Sequence, residues 1–215
     1  MRLTLINPNT NATTTEEMVS IAAAACPSAQ IFGLTAPFGA ALITCPDELA
    51  TAARAVASLA PDLGVTDGVI IAAFGDPGLA DLRALVNRPV TGIAEAGMAE
   101  AARDGRRFAV VTTTPNLVAQ ISACARIYDH TGYIGAWLTE GDPVIVMGDP
   151  VALVAALSDA CHRAMLEGAE AIVIGGGPLA QAARSLARSV PVPLVEPVPA
   201  AVRLAIARSN SGGLP

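Results

Sequence analysis

The chain contains no lysine; all 13 of its basic residues are arginine. That absence excludes a Schiff base to pyridoxal phosphate or a carbonyl substrate, and it excludes the lysine of a phosphate-binding P-loop. Aromatic residues make up only 3% of the 215 positions, so a core has to be built from Ala, Val, Leu and Ile. Clustered cations are lacking as well. With a net charge of -6 and a pI near 4.8, the surface does not suit a nucleic acid, whose partners displace counterions from phosphates with Lys and Arg. Cys26, Cys45, Cys124 and Cys161 form no C-x-x-C pair, and His130 and His162 are not spaced with them as ligands; no metal site is expected. No apolar run approaches the roughly 20 residues of a membrane span, and the run Leu3–Ile6 is too short for a signal peptide. The expectation is a cytoplasmic protein with free thiols and no membrane partner.

What is present is apolar: 53% of residues are hydrophobic and 15% charged. Val69 to Phe74 is an apolar run without alternation, the pattern of a strand buried on both faces of a parallel sheet. Gly75-Asp76-Pro77-Gly78 stops it, and helical spacing resumes at Leu79. About a hundred residues later Ala171 to Ile174 repeats the run and Gly175-Gly176-Gly177-Pro178 the stop. Three strand ends correspond in order. Ile6-Asn7-Pro8-Asn9 matches Val111-Thr112-Thr113-Thr114, Ala73-Phe74-Gly75 matches Gly176-Gly177-Pro178, and Pro89-Val90-Thr91-Gly92 matches Pro193-Leu194-Val195-Glu196, at offsets of 105, 103 and 104.

Alternating strand and helix patterns with short loops define an α/β fold. The repeat divides it into two pseudo-symmetric lobes with parallel-type sheets and a cleft between their strand ends: residues 1–104, then 105–195, a C-terminal helix over 196–208 and a flexible tail over 209–215. Thr13 or Thr14 is expected to cap the first helix, with Glu16 or Glu17 closing a capping box. Residues 36–46 read as a loop long enough to reach over a site, and the stretch between Leu138 and Pro150 as a connection without a helix of its own. The high apolar content implies spare hydrophobic surface, and with it a homo-oligomer.

Asn7, Asn9, Thr10, Thr112, Thr113 and Thr114 are small polar groups at strand-to-helix turns, where free backbone N–H groups favour anions. Converging from both lobes, they suit a small carboxylate or an imide ring. Gly175-Gly176-Gly177 lacks the G-x-G-x-x-G spacing and reads instead as backbone brought close to a ligand. Asp76 is expected to cap the helix that follows it, Glu95 to be a solvated helix residue, and His130 and His162 to sit late in helices as cations against the dipole. Cys124 and Cys161 fall in core-facing helical positions.

The segments Ile6-Asn7-Pro8-Asn9-Thr10-Asn11, Phe74-Gly75-Asp76-Pro77-Gly78-Leu79, Pro89-Val90-Thr91-Gly92-Ile93, Val111-Thr112-Thr113 and Glu167-Gly168-Ala169-Glu170 resemble the hydantoin/allantoin racemase branch of the aspartate/glutamate racemase superfamily. The resemblance spans nearly the whole chain in order. It implies two α/β lobes around a cleft and a cofactor-independent isomerase, in which one cysteine thiolate takes the Cα proton and a second thiol returns one to the other face. It also implies a site that includes Asn9, Thr10, Ala73, Phe74, Gly75, Thr112, Thr113, Gly176 and Gly177. The positions matching the family's two cysteines are here Ala73 and Gly176, neither of which can carry a proton. Three readings follow: another cofactor-free reaction such as an isomerase, lyase or decarboxylase step; a binding or regulatory protein without catalysis; or a racemase with other acids and bases, for which Cys45, on a loop bordering the cleft in relatives, and Glu196, where relatives often carry an acid, are the candidates.

Overall fold

The computed structural model describes residues 1–176, 179–187 and 189–211. Two four-stranded sheets carry it, every pairing parallel. The first has the order β2-β1-β3-β4, with β1 Arg2–Asn7, β2 Gln30–Thr35, β3 Gly68–Ile71 and β4 Val90–Gly92. The second repeats it as β6-β5-β7-β8, with β5 Phe108–Thr112, β6 Tyr133–Leu138, β7 Ala171–Ile174 and β8 Leu194–Val195. The central strands β3, β5 and β7 are buried at every residue, as their unalternating apolar sequences require. The duplication extends to the edge strands: β2 and β6 start at Gln30 and Tyr133, 103 positions apart.

Helices α1 Ala12–Ala25, α4 Ile93–Ala101, α5 Val118–Ile127 and α9 Pro197–Asn210 lie between the sheets. Their Met18, Ala22, Ile93, Met98, Ile121, Ala125, Val198 and Val202 join Leu3, Leu5 and Ile70 of one sheet and Phe108, Val110 and Val173 of the other in a single core. Outside the first sheet, α2 Pro46–Ser58 and α3 Leu79–Leu85 pack on Ile6, Val69 and Ile71. Outside the second, α7 Pro150–Leu166 and α8 Ala180–Leu186 pack on Ala109, Val111, Ile172 and Ile174. The helices that follow β4 and β8 are exchanged. α4 reaches β7 and β8 of the second sheet, whereas α9 packs on β3 and β4 of the first. Arg208 and Arg203 of α9 bind Glu95 and Glu100 of α4 at 2.7 Å.

Several local expectations are corrected. Asn11, not Thr13 or Thr14, caps α1 by accepting from Thr14 N–H, and the first turn of α1 carries no acid that would complete a box. A helix stands where the sequence suggests only a connection: α6 Pro143–Gly148 is capped by Asp142 through the N–H groups of Val144 and Ile145. A 3-10 turn over Pro115–Leu117 leads into α5. α9 continues two residues beyond Arg208, with Ser209 Oγ donating to Asp67 O at 3.1 Å; residues 212–215 of the expected tail lie outside the described residues.

Candidate ligand cleft

The carboxyl ends of β1, β3, β5 and β7 point at one another, and the space between them is a cleft of about 60 Å³, enough to admit water. Ala72, Ala73 and Phe74 form its wall on the first lobe; Thr112, Thr113, Thr114, Gly175 and Gly176 form it on the second. Leu42 and Ile43 from the β2–α2 loop, and Met147 of α6, cover it from equivalent positions in the two halves. Leu117, Ile121 and Leu179 complete an otherwise apolar lining.

Asn9 supplies the polar group of the first lobe. Fully buried Asn7 donates through Nδ2 to Asn9 Oδ1 at 2.8 Å and to Thr15 Oγ1 and Asn11 O at 3.0 Å. Asn9 Oδ1 also accepts from Asn11 N–H at 2.9 Å. Its oxygen is thereby committed, which assigns the amide orientation and leaves the two Nδ2 hydrogens for a carbonyl or carboxylate oxygen. On the second lobe, Thr112 Oγ1 is used internally, bonded to Gly175 O at 2.9 Å and to Thr114 Oγ1 at 3.1 Å. Among the described residues Thr113 Oγ1 meets only Met147 Sδ, at 3.5 Å, a weak acceptor that leaves the hydroxyl available. The backbone N–H groups of Ala73, Phe74 and Thr113, all residues of the lining, donate to none of the described residues; unpaired main-chain donors of this kind suit an oxyanion.

The turn behind the first wall is fixed by Asp76. Its neighbours Gly75 and Gly78 have φ of 107° and 74°, and Asp76 itself 48°, a left-handed conformation that Asp tolerates better than most residues. Asp76 does not cap α3. Its carboxylate accepts from Ala94 N–H and Glu95 N–H at 2.8 Å, at the start of α4, and from Tyr128 Oη at 2.7 Å. A Cβ at Gly92 would occupy the space of this carboxylate. Burial pushes the Asp76 carboxyl up to about 6, partly offset by the Tyr128, Ala94 and Glu95 hydrogen bonds. Glu95 is not solvated: it is held between Arg83 and Arg208 at 2.9 and 2.7 Å. Burial raises its carboxyl, and Arg208 and then Arg83 outweigh that to leave it below the usual range.

Of the expected site residues, Asn9, Ala73, Phe74, Thr112, Thr113 and Gly176 line the cleft. Thr10 and Gly75 do not line it; Thr10 N–H is tied to Ala40 O at 3.0 Å and Gly75 lies against Leu49. Gly177 lies outside the described residues. Cys45 stands at the N-cap of α2, where its N–H and that of Thr44 donate to Glu48, and Glu196 is bound by Arg184 Nε at 3.0 Å; neither borders the cleft. His130 is not a helix-end cation. It follows α5, packs edge-on to Phe108 at 5.6 Å, and burial lowers its pKa. Cys124 and Cys161 are buried, each pushed up by burial to about 12. No group of three His, Cys, Asp or Glu among the described residues gathers as a metal site, and no helix among them is long and apolar enough to cross a membrane. The apolar cover of Leu42, Ile43 and Met147 has no sequence motif of its own; the Asp142-Pro143 pair, a cap followed by Pro at the first helical position, is the signal that marks α6.

A duplicated pair of parallel-sheet lobes with a small cleft at their facing strand ends defines a two-lobed α/β protein of the racemase type. The chain belongs to the Asp/Glu/Hydantoin racemase family, whose model matches residues 3–205. It is 31% identical over 216 residues to a hydantoin racemase of Paenarthrobacter aurescens, covering 95% of this chain and 89% of that protein. The solved allantoin racemase of Klebsiella pneumoniae is 34% identical with a TM-score of 0.89, over 99% of this chain and 89% of that one. That of Pseudomonas fluorescens is 30% identical with a TM-score of 0.90, over 99% and 92%.

Proposed function

We propose that the cleft binds a hydantoin-like imide or a small carboxylate, and that the chain does not exchange the α-proton of this ligand by the two-thiol route. The observation that carries this is the lining itself. None of its described side chains is an acid, base or thiol, and Ala73 and Gly176 face the space from opposite lobes. Asn9 Nδ2, Thr113 Oγ1 and the N–H groups of Ala73, Phe74 and Thr113 are the groups that hold the ligand's oxygens. The chemistry such a site supports is a cofactor-independent lyase or decarboxylase step, or a divergent isomerisation, in which no side chain transfers the proton. A carboxylate pressed against Leu42, Ile43 and Leu117 is destabilised by lost hydration. As its C–C bond breaks to release carbon dioxide, the electron pair passes to an enolate held by the main-chain donors, and water supplies the completing proton. Binding without turnover is the second reading, favoured by the same lack of a proton carrier. We further propose a homo-oligomer, on the exposure of Val144, Ile145 and Val151; light scattering at 21.7 kDa overturns that.

The experiment is proton–deuterium exchange at the ring α-carbon of hydantoin and its 5-substituted derivatives, with a parallel assay of carbon dioxide release from small malonates. The wild type is expected to show exchange at least about 10²-fold below Ala73→Cys/Gly176→Cys, since a positioned acid or base is worth 10²–10⁴. A Cβ at Gly176 sits 3.2 Å from the Leu179 side chain, so that residue has to yield slightly. Robust exchange by the wild type overturns the proposal.

A further inference from the structure

The Asp76 carboxylate is a buried charge shared by both lobes: α4 binds it from the first, and Tyr128, which follows α5, from the second. We propose that Tyr128, acting through Asp76, is a positioning residue by which the second lobe sets the Ala73–Phe74 wall of the ligand cleft. The connection is short and covalent on one side. Asp76 N–H donates to Ala73 O at 3.1 Å, so the residue whose side chain Tyr128 grips also closes the turn that presents the N–H groups of Ala73 and Phe74. On the other side, Phe74 reaches the second lobe directly, its ring edge 3.5 Å from where a Cβ on Gly175 would be. A shift of Tyr128 is therefore transmitted to one cleft wall, whereas Thr112 and Thr114 on the facing wall are held by their own bond to each other and by Gly175. Among the described residues the nearby cations offer Asp76 no substitute partner. Arg83 and Arg208 are both engaged by Glu95, and Cys124 lies close by as a neutral thiol raised by burial first and by the Asp76 charge second.

The positioning of the wall stands on the structure alone; its consequence for affinity rests on the proposed ligand cleft. Tyr128→Phe removes one hydroxyl without creating a cavity, and Tyr133→Phe, which loses a bond to Ser122 inside the second lobe, is the control. The first readout is amide NMR of the ligand-free protein. In Tyr128→Phe the Asp76 amide is expected to exchange about tenfold faster, with shifts displaced at Ala73 and Phe74 and not at Val110 of β5. Tyr133→Phe is expected to leave all of these within about twofold. Asp76→Asn keeps one acceptor oxygen for α4 and is read the same way, so the question stays answerable if Tyr128→Phe does not fold. The second readout is calorimetric titration with hydantoin, expected to bind about tenfold more weakly to Tyr128→Phe. Unmoved Ala73 and Phe74 signals, or a uniform rise in exchange along the chain, overturn the proposal. Normal NMR effects with no hydantoin binding even to the wild type instead count against the ligand assignment and leave the positioning role in place.

Discussion

The two lobes have the same strand order and nearly the same spacing, yet they hold their cleft walls by opposite means. In the first, the residue behind the wall is Asp76; 103 positions on, its counterpart is Leu179, buried to 2% exposure. Opposite Asp76 stands Gly92, which leaves room for the carboxylate; the residue that matches Gly92 in the second lobe is Glu196, paired with Arg184. The difference follows from the helix starts. The first turn of α4 offers the free N–H groups of Ala94 and Glu95, which need acceptors when buried. The first turn of α9 reads Pro197-Val198-Pro199, and proline has no N–H to satisfy. A buried carboxylate is justified where it meets three donors, and a leucine replaces it where Pro199 removes one of the two helix-start donors and only the Val198 N–H remains.

Transplanting one solution into the other lobe should have the largest effect. Asp76→Leu puts the second lobe's residue into the first, leaves Ala94 N–H, Glu95 N–H and Tyr128 Oη without their acceptor, and forces a branched side chain into φ 48°. We expect a loss of about 3–5 kcal/mol, the usual consequence of removing one partner from a buried charged cluster, and roughly 10 °C in Tm for a chain of this size. Chemical denaturation measures it. A loss under about 1 kcal/mol, no more than an ordinary surface change produces, would mean that the lobes differ by drift and not by donor supply.

The same carboxylate gives a pH dependence of defined sign. Its pKa is raised from 3.8 to about 6 in the folded state, so the native chain binds more protons than the unfolded one between those values. Stability therefore falls as pH rises from about 4 to about 6 and levels off above. A rise of that size corresponds to a change on the order of 3 kcal/mol. Glu48 and Glu95, whose carboxyls are lowered, act in the opposite sense, their contributions being lost as pH falls below about 4.5. The difference between wild type and Asp76→Asn isolates the Asp76 part, since Asn does not titrate. A flat difference from about pH 4 to about pH 7, measured by urea unfolding, would refute the raised value. Leu179, which holds that place in the second lobe, does not titrate.

The duplicated fold is legible in the sequence because it is written in local patterns. Unalternating runs such as Val69–Ile71 and Ala171–Ile174 mark buried parallel strands, and Gly and Pro mark their ends. The match between β2 and β6 is hidden because edge strands carry looser sequences, QIFGLT against YIGAWL, with glycines out of step. Within the cleft, Asn9, Ala73, Thr112 and Gly176 sit at strand ends and are visible for that reason. Asp76 reads locally as a cap for α3 because its true partners are 18, 19 and 52 positions away, and no local pattern encodes them. Glu95 reads as solvated for the same reason: Arg208, which holds it, is 113 positions on.

The smallest effect is expected at the second lobe's remaining acid. Glu196 caps nothing with its side chain and faces Arg184, which is itself 44% exposed. A single pair of this kind is screened by solvent and salt and contributes about 0–1 kcal/mol. Glu196→Ala should therefore shift urea unfolding by less than about 1 kcal/mol, and by less still in about 0.5 M salt, where charges more than a few ångströms apart no longer interact. Any activity of the chain should survive it, because Glu196 does not border the cleft. A loss of activity at least about 10²-fold with unchanged stability would instead place Glu196 among the proton carriers. It would then be the second lobe, and not the first, whose strand end holds the working carboxylate.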